Sequence, residues 1–201
     1  LFRNPKNIIM KKQVLSIILS FVVMICCAQE TIKLNTEASS LKWIGSKIYE
    51  SHEGTIKIKS GYLTIKDNRL AGGEFVIDMT TIENTDMQDR RKEKLESHLK
   101  NEDFFDVVNH KNSSLKIKKV EWIEDTHYKL SADLMIKGIT NEIMFVADVK
   151  IKKSAFLAIA KIKIDRTKWD IKYKSGSFFE DLGDRAILDE IVLDVFLLSV
   201  K

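Results

Sequence analysis

The chain of 201 residues, 44% hydrophobic and 31% charged, falls in the range of one globular domain and outside the compositions of disordered or multi-domain chains. Its formal charge of +4 arises in residues 1–28, which hold Arg3, Lys6, Lys11 and Lys12 and no acid; taking these from 33 basic residues leaves 29 against 29 acidic ones. A balanced domain lacks the clustered basic surface that phosphate-backbone binding requires, which excludes nucleic acid as a partner class.

At the front, residues 1–9 begin without methionine, contain the single proline, Pro5, and read as an upstream extension. Residues 10–28 read as a signal peptide: Met10, then Lys11-Lys12, an apolar run from Val14 to Ile25 broken only by Ser16 and Ser20, and Cys26-Cys27-Ala28. At about 1.5 Å per residue the run spans roughly 18 Å, short of a ~30 Å hydrocarbon core, so no permanent transmembrane span is expected. Soluble export after Ala28, to the periplasm, is the favoured reading. A lipoprotein anchored at Cys27 is the alternative, although Met24-Ile25-Cys26 lacks the small residues usual before a lipidated cysteine. A buried N-terminal helix is the third. Both cysteines fall in this region, so cleavage after Ala28 leaves a domain, residues 29–201, without a disulfide.

From Gln29 onward the hydrophobic pattern has period two, the mark of strands with one dry face. Apolar phases run through Leu41–Gly45, Ile56 and Ile58, Leu63 and Ile65, Phe75 and Ile77, and Leu115 and Ile117. They continue through 128–136, 143–151, 156–164 and 187–198, with lysine repeatedly on the wet face. This gives eight or nine strands, with turns such as Asp67-Asn68-Arg69 and Gly138-Ile139-Thr140. Between them, Thr85-Asp86-Met87-Gln88 has capping-box form, and Met87, Leu95 and Leu99 recur at helical spacing, which predicts one surface helix over 86–100. With no β-α-β alternation the fold class is all-β. Several strands reach nine or more residues, favouring a closed antiparallel barrel of about eight strands over a sandwich.

The residues for common chemistries do not converge. His52, His98, His110 and His127 fall on different elements with no His-x-x-x-His pair, so no metal site is expected. Gly72-Gly73 reads as a hairpin or bulge rather than a phosphate cradle, since no helix follows it. An acid/base pair around His98 is the only enzymatic option, and it lacks support, so no enzyme and no cofactor are expected. Asp103-Phe104-Phe105-Asp106 reads either as a plug on the barrel rim or as ligand contact; Trp43, Trp122 and Trp169 are core candidates first.

Four segments in order resemble the YceI-like family of exported polyisoprenoid-binding proteins. They are His52-x-Gly54 before an Ile56–Ile65 hairpin, His98-Leu99-Lys100 before Asp103-Phe104-Phe105-Asp106, Ile136-Lys137-Gly138-Ile139-Thr140, and Arg166 with Trp169 ahead of Ser175-Gly176. The likeness covers roughly residues 40–199. Lys111 and Asp170 stand where the family commonly has proline and glycine. The resemblance implies a lipocalin-like barrel whose apolar interior takes a polyisoprenoid or other long-chain amphiphile, with helix and loops at the mouth. The apolar phase points Ile58, Leu63, Phe75, Leu134, Ile136 and Phe145 into one cavity. Together with Trp43, Ile56, Ile77, Phe104, Phe105 and Trp169 they are the candidate ligand lining. A packed barrel serving as a protein-interaction or stress-response module, without ligand, is the alternative.

Overall fold

The computed structural model describes residues 29–200. The expected extension and the expected signal peptide, residues 1–28, therefore lie outside the described residues. Nine strands form one antiparallel sheet: β1 (Glu30–Lys33), β2 (Ser40–Lys47), β3 (Ser51–Lys66), β4 (Arg69–Asn84), β5 (Asn112–Glu124), β6 (His127–Ile136), β7 (Ile139–Lys152), β8 (Ala155–Asp165) and β9 (Ile187–Leu198). Their order is β1-β3-β2-β9-β8-β7-β6-β5-β4, and β3 also pairs with β4. That pairing closes β2–β9 into an eight-stranded barrel and leaves β1 as an added strand outside the ring. The expected closed antiparallel barrel with one α-helix is the fold of the described residues.

Two of the expected strands are one. Ile56 and Ile58 lie on the same 16-residue strand, β3, as Leu63 and Ile65, so the Ile56–Ile65 stretch is not a hairpin. The strand joins two phases because its register to β4 shifts between Ile58 and Ser60. A one-residue bulge reverses which faces point inward, and Ile56, Ile58, Leu63 and Ile65 are all buried. Gly72-Gly73 likewise lies inside β4, just past a register shift in which Leu70 opposes Ile65 while Gly72 opposes Thr64. The bulge reading holds there and the hairpin reading does not. The short strand β1 carries a single buried apolar residue, Ile32, too little alternation to signal a strand.

The two ends of the barrel differ. At one end the turns are tight, with Asp67, Asn68, Asp125 and Lys153 at positive φ. Asp, Asn and Gly tolerate that conformation best, and paired positive φ values suit the twist of a hairpin. At the other end, the mouth, β2–β3 and β6–β7 are also joined by short turns, but the other two connections are long. β4 leads through helix α1 (Asp89–Lys100) and an aromatic loop to β5. β8 leads through a 3-10 turn (Arg166–Trp169) and an irregular segment to β9. Asp170 ends that 3-10 turn at φ 60, the left-handed region. This is a conformational reason for a glycine at that position.

The helix starts three residues later than the capping box implies. Gln88 precedes it without a side-chain cap bond, because the local acceptors are engaged elsewhere. Asn84 Oδ1 accepts the Met87 N–H at 2.9 Å, and Asp86 Oδ1 accepts the Glu53 N–H at 3.1 Å. Met87 consequently lies outside the helix, and Leu95 and Leu99 alone dock it on the core, with Leu99 buried. Trp43 and Trp169 are core residues as expected. Trp122 is not: it is 45% exposed, at the tight-turn end, with the Arg69 guanidinium 4.4 Å from its ring centroid.

Gly54 is where the β3–β4 seam is tightest. A Cβ there would stand 1.8 Å from the Glu83 carbonyl oxygen and 2.6 Å from the Trp43 ring. Backbone cannot yield as a side-chain tip does, so Gly54→Ala is expected to destabilise by at least the ~1–3 kcal/mol typical of overpacking. Gly45 on β2 has nothing within 4 Å of its Cβ position, so Gly45→Ala should stay within about 0.5 kcal/mol. Urea midpoints of the two variants check the contrast.

Candidate functional site

The barrel interior contains two apolar voids. The lower one, about 100 Å³, lies toward the tight-turn end and is lined by Ile58, Leu63, Leu70, Phe75, Phe145 and small residues including Ala147, Ala158 and Ala160. The upper one, about 90 Å³, lies under the mouth and is lined by Trp43, Ile56, Met79, Leu99, Phe104, Phe105 and Ile136 among others. Leu41, Ile77, Leu134 and Leu193 border both and form a waist between them. No polar atom of the described residues faces either void.

Eleven of the twelve candidate lining residues border one or both of these voids, divided by the waist rather than facing one cavity. Ile136 faces the upper void, apart from Ile58, Leu63, Phe75 and Phe145. Trp169 borders neither. It is fully buried, and its Nε1 donates to the Leu134 carbonyl at 3.0 Å, which ties the 3-10 turn to β6. Indole burial costs little once the N–H is satisfied. Leu193 and Ile162 on the last strands also border the voids; their alternation was visible in 156–164 and 187–198, but no turn residue marked the inward phase.

Phe104 and Phe105 combine the two roles left open by the sequence. Both are buried, at 6% and 8% exposure, and they pack edge to face with centroids 5.1 Å apart. They cap the core under the helix exit and also wall the upper void. The Phe104 ring lies 5.6 Å from the His98 ring and 5.9 Å from the Arg166 guanidinium carbon.

Arg166 is the polar fastener of the mouth. Its Nη1 donates to Ile171 O at 2.7 Å, its Nε to Leu188 O at 3.1 Å and its Nη2 to Ile187 O at 3.0 Å. Nη2 also pairs with the Asp189 carboxylate at 3.2 Å. Burial pulls the guanidinium pKa down, against the pull of Asp189 and Asp165. A buried cation of this kind is tolerated only with such partners, and here they bind the 3-10 turn to the start of β9.

Outside the barrel axis, helix α1 and the mouth strands enclose an open cleft of about 610 Å³. Trp43, Gly45, Leu99, Phe104 and Ile187 border both this cleft and the upper void. His98 lies on its wall with Asp103 Oδ1 3.7 Å from Nδ1, too long for a hydrogen bond. Among the described residues, no group of three or more His, Cys, Asp or Glu is placed to hold a metal ion. Nor is any helix long and apolar enough to cross a membrane.

At the cleft rim, His52 Nδ1 lies 2.9 Å from Asp86 Oδ2. Burial raises the Asp86 pKa, but hydrogen bonds from His52, the Glu53 N–H and the Asn84 amide outweigh it and hold the carboxyl below the usual range. A depressed folded pKa contributes stability above the unfolded value, and that stability is lost as pH falls through the folded one. Stability should therefore decline below about pH 4, and Asp86→Asn should flatten this decline. Urea unfolding between neutral and acid pH measures it; an unchanged profile for the variant would count against the role.

A model of the YceI-like domain family matches residues 33–197. Burkholderia cenocepacia BcnA superposes with a TM-score of 0.68 at 14% identity, over 83% of this chain and 99% of that one. A polyisoprenoid binding domain from Saccharophagus degradans gives 0.60 at 15% identity, over 83% and 96%. The Campylobacter jejuni YCEI protein gives 0.52 at 20% identity, over 67% and 75%. No curated protein matches the sequence. At these identities the structural likenesses carry the fold alone. The family model, however, runs from the last residue of β1 into β9 and takes in the helix, the aromatic loop and both voids, and on that ground the chain belongs to the YceI-like domain family.

Proposed function

We propose that this protein is a carrier that holds a long isoprenoid or other lipid-like chain along the barrel axis, and that it binds rather than catalyses. The observation that carries this reading is the pair of voids stacked on one axis with no polar atom facing either. The likeness to a polyisoprenoid binding domain supports it. Each buried CH₂ contributes about 0.8 kcal/mol, so one isoprene unit outweighs a typical net hydrogen bond of ~1 kcal/mol. Chain length should govern affinity more than any single polar contact. Export through the signal peptide, to the periplasm, fits a carrier of such chains.

The voids are small beside such a ligand. An apolar cavity of ~150 Å³ admits one benzene, and each void here is smaller. A chain would have to part the waist at Leu41, Ile77, Leu134 and Leu193, whose unbranched-at-Cβ leucines turn more readily than β-branched residues. The same small volumes favour the second reading, a packed interaction module with no ligand.

Native mass spectrometry of protein from its own host, followed by organic extraction, separates the two. The carrier is expected to show a bound mass that extracts as a long-chain lipid. A mass equal to the bare polypeptide in every preparation, with no uptake of added prenyl chains, overturns the carrier reading. Ala158→Phe should fill the lower void and abolish retention of long chains, leaving strand content by circular dichroism unchanged.

A further inference from the structure

The cleft beside the mouth has a charge character that the chain-binding reading does not use. Lys47, Arg91, Lys94 and Lys174 line it, together with His52 and His98, and no aspartate or glutamate does. The domain beyond residue 28 is balanced in charge, so this is a local concentration of cations. Arg91, Lys94 and Lys174 form no salt bridge among the described residues. Lys47 is held by Glu50 at 2.8 Å.

The helix sorts its charges to produce this. Lys92 and Glu96 turn toward β4, where Lys92 Nζ meets Glu83 at 2.6 Å and Glu96 Oε1 accepts the Asn84 N–H at 2.9 Å. Arg91, Lys94 and His98 lie three and four residues apart, on one helical face, and border the cleft. Of the acids near the rim, Glu50 pairs with Lys47 and His52 and Asp86 with His52, while Asp103 stands 3.7 Å from His98. His98 adds an Nε2 that is buried and has no hydrogen-bond partner among the described residues.

The cleft and the upper void share Leu99 and Phe104 as a common wall. We infer that the cleft is a head-group site for an anionic amphiphile, its oxyanion held among Arg91, Lys94 and Lys174 while its chain passes Leu99 and Phe104 into the barrel. This rests on the chain-binding reading and adds the chemistry of the ligand's polar end: a phosphate or carboxylate in preference to an alcohol or amide. The cations are partly exposed, so their pull is screened by salt, and the selectivity is largest at low ionic strength.

The test uses farnesyl monophosphate and farnesol, which share one chain and differ in the head, with titration into the delipidated protein. The monophosphate is expected to bind about tenfold or more tightly, the equivalent of one charge-assisted hydrogen bond, with the margin shrinking as salt rises. Palmitate against palmityl alcohol should show the same sign. Arg91→Glu with Lys94→Glu and Lys174→Glu should remove the margin, and the same changes at Lys119, Lys129 and Lys152, on exposed strand positions away from the mouth, should leave it. Equal binding of both heads overturns the head-group site and leaves chain binding standing. Equal loss in both triple variants also overturns it, reducing the effect to net charge. Inorganic phosphate that displaces the monophosphate at equal concentration assigns the cleft to free anions and overturns the amphiphile. Binding of neither farnesyl compound by the unaltered protein overturns the chain-binding reading, and this site with it.

Discussion

The β3–β4 seam is the constraint on which the other features depend. Without it the sheet would be an open ribbon running from β1 to β4, with two edges and no enclosed volume. Closure demands that two 16-residue strands stay paired along their length while curving enough to meet. Register shifts near Thr55, Ile58 and Thr64 supply the curvature. Gly54, Gly61 and Gly73 supply the room, since a Cβ at each would fall within 3 Å of a neighbouring atom. The bulges also decide what the barrel encloses, because each change of phase keeps isoleucine and leucine inward along the whole strand.

A barrel closed in this way still needs its ends determined. Tight turns complete one end using only local backbone preferences. The mouth uses side chains instead: Arg166 binds three carbonyls, Trp169 reaches Leu134, and Phe104 and Phe105 fill the space under the helix. Most of these contacts are long-range, joining segments far apart in sequence, and only the bond from Arg166 to Ile171 is local. The mouth is therefore held by a few buried groups, and the helix rests on it through the apolar contacts of Leu95 and Leu99 together with the links of Lys92 to Glu83 and Glu96 to the Asn84 N–H.

What the sequence revealed and what it concealed follow the same division. Alternation exposed β6 and β7, where Tyr128, Leu130, Ala132, Leu134 and Ile136 are all buried in turn. It misread β3 as two strands because period two breaks at a bulge, and nothing in Lys59-Ser60-Gly61 distinguishes a bulge from a turn. The six residues assigned by inward phase, Ile58, Leu63, Phe75, Leu134, Ile136 and Phe145, all border a void, but they are a minority of the residues that do. Trp169 was misplaced because burial and cavity contact leave the same apolar signature. The helix start was misread because Asn84 and Asp86, ordinary capping residues, satisfy β3 and their own loop. The cationic cleft was invisible in composition, since its members come from β2, the helix and the segment after Trp169, and only folding brings them together.

The added strand β1 carries a consequence for orientation. It begins at Glu30, paired with Ile65, at the tight-turn end of the barrel and opposite the mouth. Two residues, Ala28 and Gln29, separate Cys27 from Glu30, and three chain steps at no more than about 3.5 Å each make a leash of roughly 10 Å. A form tethered by lipid on Cys27 would stand upright on its hairpins, its opening turned away from the leaflet that anchors it and toward whatever faces that leaflet. A form released after Ala28 has no such bearing and is free to turn its opening to either side of the compartment.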